Sequence, residues 1–279
     1  MAKVAFVLGG GGQLGAHEVG MLRALLEAGV VPDLVLGTSI GAINGAAVAT
    51  EPSIEAIERL EGVWCEIDGR DAFEGSILGR VATLARTRTH LHDNVRLREM
   101  LDASFPVGRI EDLPVEFQCV AASIETAAEH WFTEGPLVDA VMASCAVPGI
   151  LPPYPIDGRH YLDGGIVNSI PVGRAVQEGA DTIFVLHVGR LDRPLEPPRW
   201  PWEVALVAFE IARRHRFHGD LAALPDRVTA HVMPTGQADP PRYNDLSQLR
   251  YRDTARIRAR IDDAYEASAR YLAENSIAP

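Results

Sequence analysis

The sequence predicts an α/β fold built around a mostly parallel central sheet, and three observations carry that prediction. Short, wholly apolar runs at Val4–Leu8 and Leu34–Leu36 flank a segment of helical periodicity, Ala16–Ala28, in which Val19, Leu22, Leu25 and Leu26 share a face. Two such strands joined by a helix make a right-handed β-α-β unit. Beyond it, strands and helices keep alternating to the end of the chain, the pattern of a sheet covered by helices.

The first strand breaks into a run of glycines, and the first helix stops at Gly29. The second strand enters Gly37-Thr38-Ser39-Ile40-Gly41, and the small-residue segment Ala42–Val48 continues as the second helix. Further strands are predicted at Val115–Ala122, His130–Thr133, Thr182–Val188 and Val228–Met233. Further helices are predicted at Ile54–Cys65, Val95–Ala103, Leu137–Cys145, Pro171–Glu178, Trp202–Leu221 and Leu246–Glu274. The proline-rich stretch Arg193–Pro201 reads as a surface connection, so a single domain over residues 1–279 is the simplest account.

Composition bounds the function without naming it. The chain has 279 residues, 47% of them hydrophobic and 23% charged, as in ordinary globular proteins. A net charge of −12 argues against nucleic acid as a partner, because phosphate contacts need a basic footprint. Cys65, Cys119 and Cys145 are odd in number and far apart, which fits neither a disulfide framework nor a zinc site. No metal or other cofactor is expected. Residues 1–8 are too short and too soon interrupted by glycine for a signal peptide, and no run reaches the roughly 18 apolar residues that span a bilayer. The expected location is cytoplasmic, with at most a peripheral membrane contact.

The chemistry concentrates in three places. Gly37-Thr38-Ser39-Ile40-Gly41 places a serine between a strand and a helix, the geometry of a nucleophile elbow, with Gly37 and Gly41 permitting the tight turn. Gly9–Gly15 lies between the first strand and first helix, where backbone N–H groups and a helix N-terminus can hold an anion. Gly10-x-Gly12-x-x-Gly15 also matches a dinucleotide fingerprint. The acid that would bind ribose is missing, since Asp33 stands at the start of the second strand rather than its end. Parallel strands put Ser39 and the glycine loop on one sheet edge, an arrangement suited to acyl transfer. The third place is Asp163-Gly164-Gly165. It reads either as a hairpin turn or as a base for Ser39. A histidine is the alternative base: His187, His215, His218 and His231 all follow Asp163, and His187 ends a predicted strand.

Taken in order, Gly9–Gly15, Gly37–Gly41 and Asp163–Gly165 resemble the patatin-like phospholipases. The resemblance continues through Ala143–Pro153 and Asp163–Pro171 and covers about residues 3–190. It implies a three-layer α/β/α sandwich and a Ser-Asp dyad without histidine. Ser39 would be the nucleophile, Asp163 the general base, and the amides of Gly10, Gly11 and Gly12 the oxyanion hole. Gly15, Gly37, Gly41, Gly164 and Gly165 would support these motifs. The implied activity is hydrolysis of fatty-acyl esters through an acyl-serine, with a lipid or other acyl ester as substrate. The alternative is a lipid- or acyl-binding regulator on the same scaffold. The family usually carries Arg or Lys where this chain has Leu14, a departure that leans toward neutral esters.

Three segments bear on substrate access. Phe73–Leu91 supplies Phe73, Ile77, Leu78, Val81 and Leu84 for a cap or acyl channel. Trp200, Trp202, Leu206 and Phe209 precede Arg213, Arg214, His215 and Arg216. They suit an interfacial helix or, the reading favoured by the sequence, a core-packed helix ending in a solvated cationic turn. Arg250, Arg252, Arg256, Arg258 and Arg260 read as the solvated face of the last helix.

Overall fold

The computed structural model describes residues 2–66, 89–189, 191, 194–237 and 254–277. The expected cap residues Phe73, Ile77, Leu78, Val81 and Leu84 lie outside this set, as do Arg250 and Arg252. In chain order the elements are β1 (Val4–Leu8), α1 (Ala16–Glu27), β2 (Leu34–Thr38), α2 (Ile40–Thr50), α3 (Ile54–Glu66), α4 (Val95–Ser104), β3 (Glu116–Ser123), β4 (Ala128–Phe132) and α5 (Leu137–Ser144). They continue as β5 (Tyr154–Ile156), β6 (Arg159–Asp163), α6 (Gly165–Asn168), α7 (Val172–Gln177), β7 (Thr182–Leu186), α8 (Pro201–Ala222), β8 (Thr229–Val232) and α9 (Thr254–Glu274).

The eight strands among the described residues share one sheet in the order β5-β6-β3-β2-β1-β7-β8, with β4 also paired to β3. The pairs β1–β2, β1–β7, β2–β3 and β7–β8 are parallel. The pairs β3–β4, β3–β6 and β5–β6 are antiparallel. Alternation along β1 sends Phe6 and Leu8 to one face and Ala5 and Val7 to the other. The first face packs against residues of α1, α2, α3, α4, α5 and α9. The second packs against Val172 and Ala175 of α7 and Phe217 of α8. Helices therefore cover both faces of a largely parallel sheet, the predicted three-layer α/β/α arrangement.

The antiparallel edge is where the structure departs from the prediction. Strands β5 and β6 were not predicted, and Asp163-Gly164 is not a hairpin turn: Asp163 ends β6 and Gly164 leads into α6. The hairpin turn is the earlier Asp157-Gly158, with φ of 50° and 77° between Ile156 and Arg159. Positive φ at both central residues is what a two-residue hairpin requires. In α9, Arg256 and Arg258 are exposed as expected, but Arg260 is buried. It falls on the same stripe as Ile257, Ile261 and Ala264, which turns it toward α1.

Helices α1 and α9 meet at Gly20, where a methyl group would collide with the carbonyl oxygen of Ile261. Gly20→Ala is expected to destabilise the fold by about 1–3 kcal/mol despite the better helix propensity of alanine. An unchanged or higher urea midpoint would contradict this close approach.

Candidate active site

Strand β3 acts as a ruler for two side chains. Cys119 and Val120 pair with β2 on one edge and β4 on the other, whereas Ala121–Ser123 pair with β4 and β6. Strands β2 and β6 therefore occupy the same edge of β3, one after the other. Thr38, the last residue of β2, is opposite Val120; Asp163, the last residue of β6, is opposite Ala121. The chain leaves β2 at Ser39 just where β6 delivers Asp163.

The turn at Ser39 is strained. Its φ of 54° and ψ of −123° are unusual for a non-glycine residue. Gly37 and Gly41 make it sterically feasible: a side chain on Gly37 would meet the backbone of Ala42, and one on Gly41 would meet the carbonyl of Leu8. The Ser39 N–H donates to Ser144 Oγ at 2.9 Å, and Thr38 Oγ1 donates to the Asn168 carbonyl at 2.9 Å. The elbow is thus tied to the end of α5 and to α6. Gly164 is confined as well, since a methyl group there would strike the Val120 carbonyl.

Ser39 Oγ donates directly to Asp163 Oδ2 at 2.5 Å, so no histidine stands between them. The other carboxylate oxygen, Oδ1, accepts the Gly165 N–H at 2.7 Å. Both side chains are largely buried, at 9% and 7% exposure. Burial pushes the Asp163 carboxyl up to about 6, while the bonds from Ser39 and Gly165 pull it partway back. Among the candidate histidines, His231 meets Tyr271 OH at 3.1 Å on the far side of β7, and His215 and His218 are exposed on α8. His187 follows β7, beside the backbone of Gly9.

The glycine loop lies against the serine. A side chain on Gly10 would come within 3.4 Å of Ser39 Cβ, and one on Gly11 would collide with Val188. The Gly9 N–H donates to the Leu186 carbonyl and the Gly10 N–H to the Ser169 carbonyl, each at 3.0 Å. Gly10 is thus already engaged, and the amides of Gly11 and Gly12 remain the candidate anion donors. Leu14, at the position of the usual cation, is buried in the turn Gly12–Gly15.

Sequence reasoning gave no role to three side chains that brace this site. Ser144 holds the Ser39 amide. Asn44 of α2 donates through Nδ2 to the Gly15 carbonyl at 3.0 Å and to Glu18 Oε2 at 2.8 Å, and its Oδ1 accepts the Trp64 indole N–H at 3.0 Å. Glu18 is wholly buried, which raises its carboxyl well above the usual range. The signal was a lone asparagine in the otherwise small and apolar first turns of α2. Among the described residues, no group of three or more His, Cys, Asp or Glu could hold a metal ion.

The chain resembles known proteins in sequence and in fold. A family model described as patatin-like phospholipase matches residues 6–176. Patatin-like phospholipase domain-containing protein 7 of Rattus norvegicus is 34% identical over 191 residues, 68% of this chain and 14% of that protein. Patatin-like phospholipase domain-containing protein 6 of Homo sapiens is 35% identical over 191 residues, with the same shares of 68% and 14%. Lysophospholipase NTE1 of Phaeosphaeria nodorum is 33% identical over 190 residues, 68% of this chain and 12% of that protein. The chain thus spans about one-seventh of the length of these curated relatives. In fold it resembles the crystal structure of VipD from Legionella pneumophila, with a TM-score of 0.50 at 15% identity, over 98% of this chain and 67% of that one. Because the matched region runs from Phe6 in β1 to Val176 in α7 and contains the glycine loop, the serine elbow and Asp163, the chain belongs to the patatin-like phospholipase family.

Proposed function

We propose that this chain is a lipid acyl hydrolase, a serine carboxylic-ester hydrolase working through a Ser39–Asp163 dyad. The reading rests on one observation, the direct 2.5 Å bond from Ser39 Oγ to Asp163 Oδ2 at a strained elbow beside a glycine loop. Membership of a family described as phospholipase, and a relative named lysophospholipase, support a fatty-acyl ester as substrate. We further propose that residues 1–279 act as one domain, since β8 joins the same sheet and α9 packs on α1.

Asp163 accepts the Ser39 proton as Oγ attacks the ester carbonyl. The tetrahedral oxyanion is met by the amides of Gly11 and Gly12, while Gly10 fixes the loop through Ser169. Asp163 returns the proton to the leaving alcohol, and an acyl-serine remains. Water then gives its proton to Asp163, attacks the acyl carbon and releases the fatty acid, and Ser39 recovers its proton. An exposed aspartate, at about 3.9, would be a poor base for these steps. Burial makes this one more basic while leaving it ionised at neutral pH. A buried Leu14 removes a cation from the loop and favours neutral esters over anionic ones.

Ser39→Ala and Asp163→Asn should each cut ester hydrolysis by at least roughly 10³-fold with the circular dichroism spectrum unchanged. A fluorophosphonate probe should label the wild type at Ser39. A folded Asp163→Asn that keeps its activity would sink the dyad, and a silent Ser39 would favour a lipid-binding regulator.

The acid limb of kcat/KM should fall with an apparent pKa of about 6, because protonation removes the base. The stability sign is opposite. A carboxyl raised in the folded state contributes most below its ordinary 3.8, and that contribution is lost as pH rises through about 6. At pH 8, Asp163→Asn should therefore melt no lower than wild type while being inactive. An acid limb near pH 4 would show that burial does not tune this group.

Asn44→Ala should lower kcat by about tenfold with a smaller change in KM, because it loosens the glycine loop against the elbow. A larger effect on KM would make Asn44 a substrate-binding residue instead.

A further inference from the structure

Helix α8 is built the opposite way round from an ordinary surface helix. Its buried stripe carries Glu203, Val207, Glu210 and Phe217. The acids are satisfied within the protein. Glu203 Oε2 accepts the N–H groups of Arg199 and Trp200 at 2.6 and 3.2 Å. Glu210 takes Arg213 through two bonds at 2.8 and 2.9 Å and Arg214 through one at 2.8 Å. Burial works to raise the Glu210 carboxyl, but these two arginines hold it below the usual range. The expected core-packed helix with a solvated cationic turn is therefore corrected in part: Val207 and Phe217 do pack inward and His215 and Arg216 are exposed, but Arg213 and Arg214 face inward and Trp200, Trp202, Val204, Phe209 and Ile211 face out.

Trp200 is 57% exposed, Trp202 56%, Val204 52%, Phe209 42% and Ile211 55%. The two indoles stack, with centroids 5.2 Å apart and planes 7° from parallel. Ile166 of α6, 41% exposed, extends the patch. The patch reaches the catalytic carboxylate. The Phe209 ring lies where a side chain on Gly165 would be 3.3 Å from it, and the Gly165 N–H donates to Asp163. Helix α8 also packs directly on α6 and α7.

Charge indicates what covers this face. The chain carries a net charge of −12, yet between residues 199 and 219 its two acids, Glu203 and Glu210, are both buried. The exposed polar groups there are Arg199, His215, Arg216 and His218. Arg216 also donates to the Val167 carbonyl at 3.1 Å and lies 3.4 Å from the exposed Glu129 of β4, which pins the cationic end to α6 and β4. An apolar stripe with indoles, with Arg199 and Arg216 at its ends and no exposed carboxylate of its own between residues 199 and 219, matches the interfacial zone of a lipid layer, where apolar groups enter acyl chains and cations meet phosphates. Soluble monomers seldom leave such a contiguous patch uncovered.

We infer that the outer face of α8, from Trp200 to Ile211, together with Ile166, docks the protein on a phospholipid surface and brings the Ser39–Asp163 site to substrate lying in that surface. The inference rests on the lipid acyl hydrolase reading for its purpose but not for its test. No helix among the described residues is long and apolar enough to cross a membrane, so this contact lies in the plane of the surface.

The test is flotation of the intact protein with vesicles of phosphatidylcholine, alone and mixed with phosphatidylglycerol, following tryptophan emission in parallel. Wild type and Ser39→Ala should both float, with a blue shift. Val204→Asp/Ile211→Asp should lose at least about tenfold in vesicle partition, a difference of 1.4 kcal/mol. Its hydrolysis of soluble p-nitrophenyl butyrate should stay within about twofold of wild type. Trp202→Gln, a milder change at an exposed position, should show a smaller loss of the same kind and guards against misfolding of the double variant. Wild type that stays with the aqueous fraction in both vesicle types overturns the inference. So does a folded double variant that floats like wild type, or a wild-type dimer that this variant dissociates, which would make a second copy the occupant. Vesicle binding by Ser39→Ala without ester hydrolysis by wild type would remove the proposed activity and leave the docking face standing.

Discussion

The site depends on the register of β3. Val120 and Ala121 are consecutive residues with opposite facing directions, and each fixes one member of the proposed dyad through a different strand. A slip of one residue in β6 would send Asp163 to the other face of the sheet, away from Ser39. The neighbouring contacts act to prevent that slip. The Asp163 N–H donates to the Ala146 carbonyl at 2.9 Å, and the Gly164 N–H to the Ser144 carbonyl at 3.2 Å. Ser144 Oγ at the same time receives the Ser39 amide. One residue at the end of α5 thus holds both sides of the pair, and Gly164 lets β6 approach Val120 closely enough for this to happen.

Two buried carboxyl groups in this molecule show how degree of burial and partners assign different work to the same chemistry. Glu18 has no exposure, and burial raises its carboxyl well above the usual range beside Asn44, through which it braces the glycine loop. Asp163 keeps a small opening to solvent and receives two short hydrogen bonds that favour its charged form. The result is a carboxyl raised only to about 6. It requires no neighbouring cation: burial raises both carboxyl groups, and the bonds from Ser39 and Gly165 bring Asp163 partway back.

Local signals were legible in the sequence and long-range pairing was not. β1, α1, β2 and α2 follow from periodicity and glycine placement because their partners are near in sequence. The antiparallel edge was missed because Tyr154–Ile156 contains a proline and Arg159–Asp163 has no clean apolar alternation, so neither run looks like a strand. Two Asp-Gly pairs lie six residues apart, and only tertiary pairing shows that Asp157-Gly158 is the turn while Asp163-Gly164 ends β6 beside Ser39. The resemblance, not the residue pattern, singled out Asp163 as a base. Ser144 carried no local signal of its own, and Asn44 only that of a lone asparagine in an apolar helix, since their partners sit 20 to 105 residues away.

Helix α8 shows the limit of composition most sharply. Charged residues normally mark the solvent face, and here four of them mark the inner one, because Glu203 caps the helix start and Glu210 neutralises Arg213 and Arg214. A sequence pattern cannot distinguish an arginine facing water from one clasping a glutamate one turn away. The energetic consequence falls on the other face. Fully burying a side chain such as Val, Ile or Phe is worth about 1.5–3 kcal/mol, so leaving this row half exposed forgoes several kcal/mol that the fold could have gained by turning the helix. The described residues provide nothing in return on that face. Natural proteins give up stability of this size where binding requires it. The direction in which α8 is turned is therefore best understood through what the outer face meets, and the phenyl ring of Phe209 against Gly165 makes that meeting point continuous with the carboxylate that accepts the Ser39 hydroxyl.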